Sequence, residues 1–267
     1  MAYISGNTSE PGRIVIINED NWSLEKNRLI DNGNYRINDL DDGKKLVFCR
    51  RNDGKSNGFG NIDTAIEHYQ VFSCGQNIAG GLGHDDTENR SVFTQIGTDT
   101  DWKSVVCCSS HTLALKTNGT LWGCGLNTDG QLGLNDRVNR STLIQIGSAT
   151  DWKSVSGGGS SHTLTLKTDG TMWSCGSNWA GQLGLGNTVS RSTLTQIGTA
   201  TNWGFIGCGG HHTLAVKTDG TLWSCGYNVY GQLGLDGGGN RSTLIQIGTD
   251  SSWSSVVCGS SHTLALK

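Results

Sequence analysis

The chain has 267 residues, with 40 Gly, one Pro, 9 Cys and 9 Trp, and a formal net charge of -3 from 20 basic and 23 acidic side chains. Residues 1–68 carry 9 basic and 11 acidic groups and residues 69–267 carry 11 and 12, so neither part offers the basic patch that nucleic acid requires. No stretch approaches the roughly 18 apolar residues of a spanning helix, and no leader is visible at the start, so the expectation is a cytoplasmic or virion-associated chain without membrane insertion. Nine Cys cannot all pair within one chain, which points to reduced, mostly buried thiols.

Residues 1–68 do not repeat. Gly12-Arg-Ile-Val-Ile-Ile opens a strand, and Trp22-Ser-Leu-Glu reads as a second element. From Gly33 to Gly43 the spacing G-x-Y-x-I-x-x-L-x-x-G gives an alternating strand and a turn, and Lys44-Lys-Leu-Val-Phe gives another strand. This spacing resembles transthyretin-like or carboxypeptidase-regulatory-like modules. The resemblance implies a small β-sandwich used as a non-catalytic attachment or spacer, as on phage or cell-surface assemblies. A hinge is expected at 61–68.

Residues 69–267 hold four copies of one unit, at about 69–118, 119–169, 170–219 and 220–267. Cys-Gly-x-Asn recurs at Cys74, Cys124, Cys175 and Cys225, with a matching Trp at Trp102, Trp152, Trp203 and Trp253. Within each unit H-T-L-A-L-K alternates with period two, as a half-buried strand does, and T-D-G-T supplies a tight hairpin turn. The L-W-S-C-G, R-S-T-L-x-Q and W-x-x-V runs add further strands, giving about four per unit. One such sheet cannot cover both its faces, so the sheets must stack. Radial stacking gives an all-β propeller or part of one.

The runs G-x-N-x-x-G-Q-L-G-L and (C/G)-G-x-x-H-T-L-A-L resemble the repeats of the regulator-of-chromosome-condensation family, over about three quarters of the chain. The resemblance implies propellers of around seven blades that commonly bind proteins, some of them acting as exchange factors for small GTPases. Here four units stand in place of about seven. They close a small propeller, form an open arc completed by another chain, or belong to a longer protein, and the last two are favoured.

Little catalytic chemistry is visible. Cys-x-x-x-His recurs at Cys107/His111, Cys208/His212 and Cys258/His262, with Gly158 read in place of Cys in the remaining copy. The copies fall in different blades, so no set of four metal ligands converges and no metal or other cofactor is expected. Ser-Ser-His triplets starting at Ser109, Ser160 and Ser260 lack a nucleophile elbow and read as turns. His111, His162, His212 and His262 are expected to bond backbone carbonyls between blades. Asn77, Asn127, Asn178 and Asn228 are expected to be structural, and Arg90, Arg140, Arg191 and Arg241 to make inter-blade contacts. The chain is not expected to be an enzyme.

What varies between copies is more telling. In C-G-x-N-x-x-G the variable slots hold Gln76, Ile78 and Ala79, then Leu126, Thr128 and Asp129, then Ser177, Trp179 and Ala180, then Tyr227, Val229 and Tyr230. Loops that change on a constant frame are where recognition sits. Trp179, Tyr227, Val229, Tyr230, Leu126 and Asp129 are therefore the candidate binding residues, with padding of blade edges as the alternative. His211 breaks the Ser-Ser-His pattern and is free for other work. The expected function is a non-catalytic scaffold that binds a protein or a surface glycan, with self-association to complete the propeller. Nucleotide exchange on a small GTPase is the alternative.

Overall fold

The computed structural model describes three strands within residues 14–49 by their backbone, and residues 69–159 and 162–267 in full. The chain divides into two compact units, Met1–Ala65 and Ile66–Lys267. In the first, β1 (Ile14–Ile17), β2 (Tyr35–Asp39) and β3 (Lys45–Cys49) form an antiparallel sheet ordered β1-β3-β2. Ile14 and Arg36 both stand opposite Phe48. The two-sheet sandwich, the element at Trp22 and the hinge at 61–68 lie outside the described residues.

The second unit contains strands and no helix among its described residues. A two-stranded sheet, β4 (Phe72–Gly75) and β5 (Arg90–Gln95), comes first. Three four-stranded meanders follow: β6 (Trp102–Cys107) to β9 (Arg140–Gln145), β10 (Trp152–Gly157) to β13 (Arg191–Gln196), and β14 (Trp203–Cys208) to β17 (Arg241–Gln246). A second two-stranded sheet, β18 (Ser255–Cys258) and β19 (Thr263–Leu266), ends the series. Each sequence repeat supplies four strands, but its phase is offset from the sheets. The outer two strands of one sheet and the inner two of the next come from a single repeat.

The second strands, β7 (His111–Lys116), β11 (His162–Lys167) and β15 (His212–Lys217), are buried on both faces. Their alternation suggested burial of one face, but a sheet lies on either side, so the threonines and alanines between the leucines are covered too. The turn after β11 is tight: Lys167 N–H donates to Thr171 O at 2.9 Å and Gly170 N–H to Lys167 O at 3.1 Å. Gly170 sits at φ 80°, and a Cβ there would fall 2.0 Å from Thr201 O. Only glycine fits.

Apolar clusters fill the seams between sheets. Leu113, Leu115 and Leu121 pack against Trp152 and Val155 of the next sheet, and Leu164, Leu166 and Met172 pack against Trp203 and Ile206. Fully burying one such leucine contributes about 1.5–3 kcal/mol. Within each four-stranded sheet two tryptophans straddle a lysine. Trp152 and Trp173 meet edge to face at 6.1 Å, with Lys167 Nζ 4.9 and 5.1 Å from their ring centres.

The repeated histidines line the same seams. His111, His162 and His212 are buried, and their Nε2 atoms meet the hydroxyls of Thr163, Thr213 and Thr263 on the next sheet at 3.4, 3.3 and 3.0 Å. The partner is thus a threonine hydroxyl rather than a backbone carbonyl. Each threonine spends its proton on a carbonyl: Gln131 O, Gln182 O and Gln232 O at 2.8 to 2.9 Å. The hydroxyl oxygen must therefore accept, which assigns the Nε2–H tautomer to the neutral rings.

The cysteine frame needs one adjustment. Cys107, Cys208 and Cys258 pair with Thr112, Thr213 and Thr263, and the residue that pairs with Thr163 is Gly157, not Gly158. That copy carries one more residue between its two paired positions than the others do. Two of the four repeated arginines act locally: Arg90 and Arg140 bind Asp86 and Asp136 of their own loops at 2.5 Å.

Candidate functional site: an aromatic patch on the variable loops

Each variable loop is built around its asparagine. Asn178 is fully buried; its Nδ2 donates to Asn187 O at 2.9 Å and Val189 O at 3.1 Å, and its Oδ1 accepts from Leu183 N–H at 2.9 Å. Asn228 donates from Nδ2 to Gly237 O at 2.6 Å and accepts from Leu233 N–H at 3.0 Å. Asn77 and Asn127 repeat the clamp. The side chain spans two loop segments, so the residues after it are held outward on a fixed backbone. Gly181 closes the turn at φ 83°, with its Cβ position 2.4 Å from Ser242 Cα of the next sheet. The loop is pinned at both ends.

Trp179, the second variable slot of the third repeat, meets Tyr227, the first slot of the fourth, at a ring separation of 5.4 Å. Tyr227 N–H donates to His211 O at 2.9 Å, and this bond brings the extra histidine alongside. The His211 ring lies 5.1 Å from Trp179 and 6.5 Å from Tyr227, and Tyr227 meets Tyr230 at 6.2 Å. Three of the four contacts are edge to face, the arrangement aromatic quadrupoles favour. Trp179 remains 52% exposed and Tyr230 72%. Burial holds the His211 imidazole below its ordinary range, and its Nδ1 has no hydrogen-bond partner among the described residues.

The regulator of chromosome condensation (RCC1) repeat matches at residues 70–115, 118–166, 169–216 and 219–266. The chain belongs to the RCC1 repeat family. Among solved structures it is similar to human WBSCR16, at 22% identity and TM-score 0.67 over 75% of this chain and 54% of that one. It is likewise similar to yeast RCC1 (Prp20) bound to Kap60, at 20% identity and TM-score 0.66 over 74% and 49%. A structure of Prp20p from Saccharomyces cerevisiae gives 20% identity and TM-score 0.63 over 73% and 51%. The chain thus spans about half the length of the solved propellers it matches. A comparison with curated proteins finds no match.

Against the RCC1 frame, the variable slots separate. Trp179, Tyr227 and Tyr230 come together, and Val229 is exposed on the same loop. Leu126 and Asp129 occupy the corresponding loop of the second repeat and join no ring contact; Asp129 N–H is bonded to Gln131 Oε1 at 3.0 Å. His211 completes the cluster. Its signal was the departure from the serine that the other RCC1 repeats carry, at Ser110, Ser161 and Ser261. Cys107 is exposed and His111 is buried, where its Nε2 faces Thr163 of the next sheet.

Proposed function

We propose that the RCC1-repeat unit is a non-catalytic recognition platform whose Trp179–His211–Tyr227–Tyr230 patch seats an apolar or aromatic side chain of a protein partner. The observation that carries it is a connected cluster of four rings from three separate segments, in which Trp179, His211 and Tyr227 all touch one another and Tyr230 joins through Tyr227, with Trp179 and Tyr230 largely exposed on loops whose backbone the asparagine clamps fix. Tyr and Trp on a rigid frame lose little entropy on binding and dominate interface hot spots. The yeast Prp20p structure is described by its binding to Gsp1p and histones, which supports a protein as the partner class. Self-association belongs to the same reading, with a second copy of this chain as the protein partner.

The test is selection of peptides from a random display library on the intact chain, followed by binding to Trp179→Ala and Tyr230→Ala. Loss of about 30-fold or more for either variant, equivalent to about 2 kcal/mol, is expected. Equal binding by both variants rejects the patch. Binding to a glycan array that these variants abolish, with no peptide selected, rejects the protein reading. Nucleotide release from a small GTPase, measured alongside, separates exchange from binding.

A further inference from the structure

Of the four repeated lysines seated over tryptophan, three have a carboxylate partner and one does not. Lys116 Nζ lies 2.6 Å from Asp99 and 3.0 Å from Asp101, Lys167 Nζ lies 3.1 Å from Asp151, and Lys267 pairs with Asp250. Lys217 keeps the seat, with Nζ 5.1 and 4.3 Å from the ring centres of Trp203 and Trp223, but among the described residues it has no ion pair or hydrogen bond. The backbone there is unchanged: Thr218 N–H donates to Asn202 O at 2.8 Å, as Thr168 N–H does to Asp151 O at 2.9 Å. Asparagine therefore stands where the second repeat has its pairing aspartate, and Ala200 stands at the place of Asp99 and Asp250. Asp219, in the turn that follows, is already engaged: its Oδ1 accepts from Thr221 N–H at 3.0 Å and from the Thr221 hydroxyl at 2.7 Å. Asp169 holds Thr171 in the same way although Lys167 is paired, so this turn does not make up for the missing aspartate.

Two more departures of the same repeat lie beside this ammonium. Strand β14 carries Gly204 and Phe205 where β6 has Lys103 and Ser104 and β10 has Lys153 and Ser154. The register is common to all three, since Phe205 pairs with Val216 as Ser104 does with Leu115 and Ser154 with Leu166. A Cβ built on Gly204 would come no closer than 3.5 Å to Thr218 Cγ2, an ordinary contact, so packing does not demand glycine here. At this place lies a pocket of about 260 Å³ whose walls include Gly204, Phe205, Lys217, Thr218 and Trp253. Lys217 is its one charged lining residue, and Phe205 is 40% exposed. The volume falls below the roughly 300 Å³ at which sites for drug-sized ligands begin, so it suits a small group. None of these residues belongs to the aromatic patch of the variable loops.

We propose that this pocket binds the carboxylate of a small organic acid or of a peptide C-terminus, which takes on Lys217 the place that Asp151 takes on Lys167. The repeat frame itself defines the chemistry: at the equivalent lysines the group that meets Nζ is a carboxylate. An ammonium carries three donors, and those of Lys217 are unspent within the described residues. One cation balances the single charge of a carboxylate, and a charge-assisted bond of this kind is among the stronger ones a side chain makes. The two indoles hold Nζ in position before any ligand arrives, which lowers the cost of fixing a long side chain. Phe205 and Trp253 give the ligand's apolar body a wall to lie against. Loss of the aspartate, loss of the strand lysine and gain of the phenyl ring thus fall in one repeat and at one pocket.

Benzoate, with benzamide as its uncharged counterpart, is titrated into the intact chain and followed by ligand-observed NMR. Saturable binding of benzoate is expected, with benzamide weaker by about 10-fold or more. Asn202→Asp returns an internal carboxylate, and Lys217→Met removes the ammonium while keeping an apolar stem over the indoles. Each is expected to weaken benzoate by about 10-fold or more. Asn202→Asp is also expected to hold or raise the melting temperature, which separates occupation of the lysine from unfolding. A short peptide ending in a free Phe carboxylate, compared with its C-terminal amide, distinguishes the two sources. A peptide acid that binds more tightly than benzoate assigns the pocket to a peptide terminus, and one that binds more weakly assigns it to a free organic acid. The absence of saturable binding by both probes overturns the proposal. So does equal affinity for benzoate and benzamide, or undiminished binding in either variant.

Discussion

The thiol of Cys108 occupies the space a side chain at Gly157 would need: a Cβ built on Gly157 falls 1.9 Å from Cys108 Sγ. Other repeats place glycine at the first position (Gly209, Gly259) and cysteine at the second (Cys208, Cys258), so the volume has been exchanged across this one seam. Restoring the common residue on one side alone must overpack or empty the seam. Gly157→Cys is expected to cost about 1–3 kcal/mol. The double change Cys108→Gly with Gly157→Cys is expected to recover most of it. Urea unfolding of the two single variants and the double variant measures the coupling, and a coupling below about 0.5 kcal/mol rejects the exchange.

Acid should loosen the stack before it titrates the carboxylates. Burial pushes His111 and His212 down to about 4 and His162 to about 3. A depressed pKa stabilises the fold above the unfolded value near 6.5 and loses that contribution as pH falls through the folded value. Between about pH 6.5 and 4 the unfolded chain takes up three protons that the folded chain refuses. The resulting slope is up to about 4 kcal/mol per pH unit. Stability measured by denaturant from pH 7.5 to 4 is expected to fall steeply across this window, and more shallowly in His162→Gln. A flat profile to pH 4.5 would contradict the buried neutral rings.

Asn178 and Asn127 make the same clamp, but only Asn178 lies beside the aromatic patch. Alanine at either position leaves a buried leucine N–H unpaired, which costs about 1–3 kcal/mol. Similar losses of thermal stability are therefore expected for the two variants. Binding of the selected peptides should weaken in Asn178→Ala and hold in Asn127→Ala. Equal effects on binding would mean that the patch does not depend on its own loop.

The repeat, its strands and its stacking were legible because period-two runs and turn residues recur every 50 or 51 positions. The phase of the sheets was not, since the covalent unit and the hydrogen-bonded unit begin at different strands. Column alignment put Gly158 opposite Cys208; pairing with Thr163 puts Gly157 there, because that copy carries one more residue between its two paired positions. Trp179, Tyr227 and Tyr230 stood out as aromatics in variable slots. Their meeting, and the place of His211 beside them, depended on a backbone bond between segments that no local pattern reveals.

The offset between repeat and sheet also governs how such a protein can grow or be trimmed. A duplication of one whole repeat inserts a complete new interface and leaves every existing one of the same type, so lengthening is conservative. A cut at a repeat boundary such as 118/119 severs a hairpin and bares two raw strand edges. Shortened versions that keep their solubility should be cut near 98–101 or 148–151, where the backbone passes from one layer to the next.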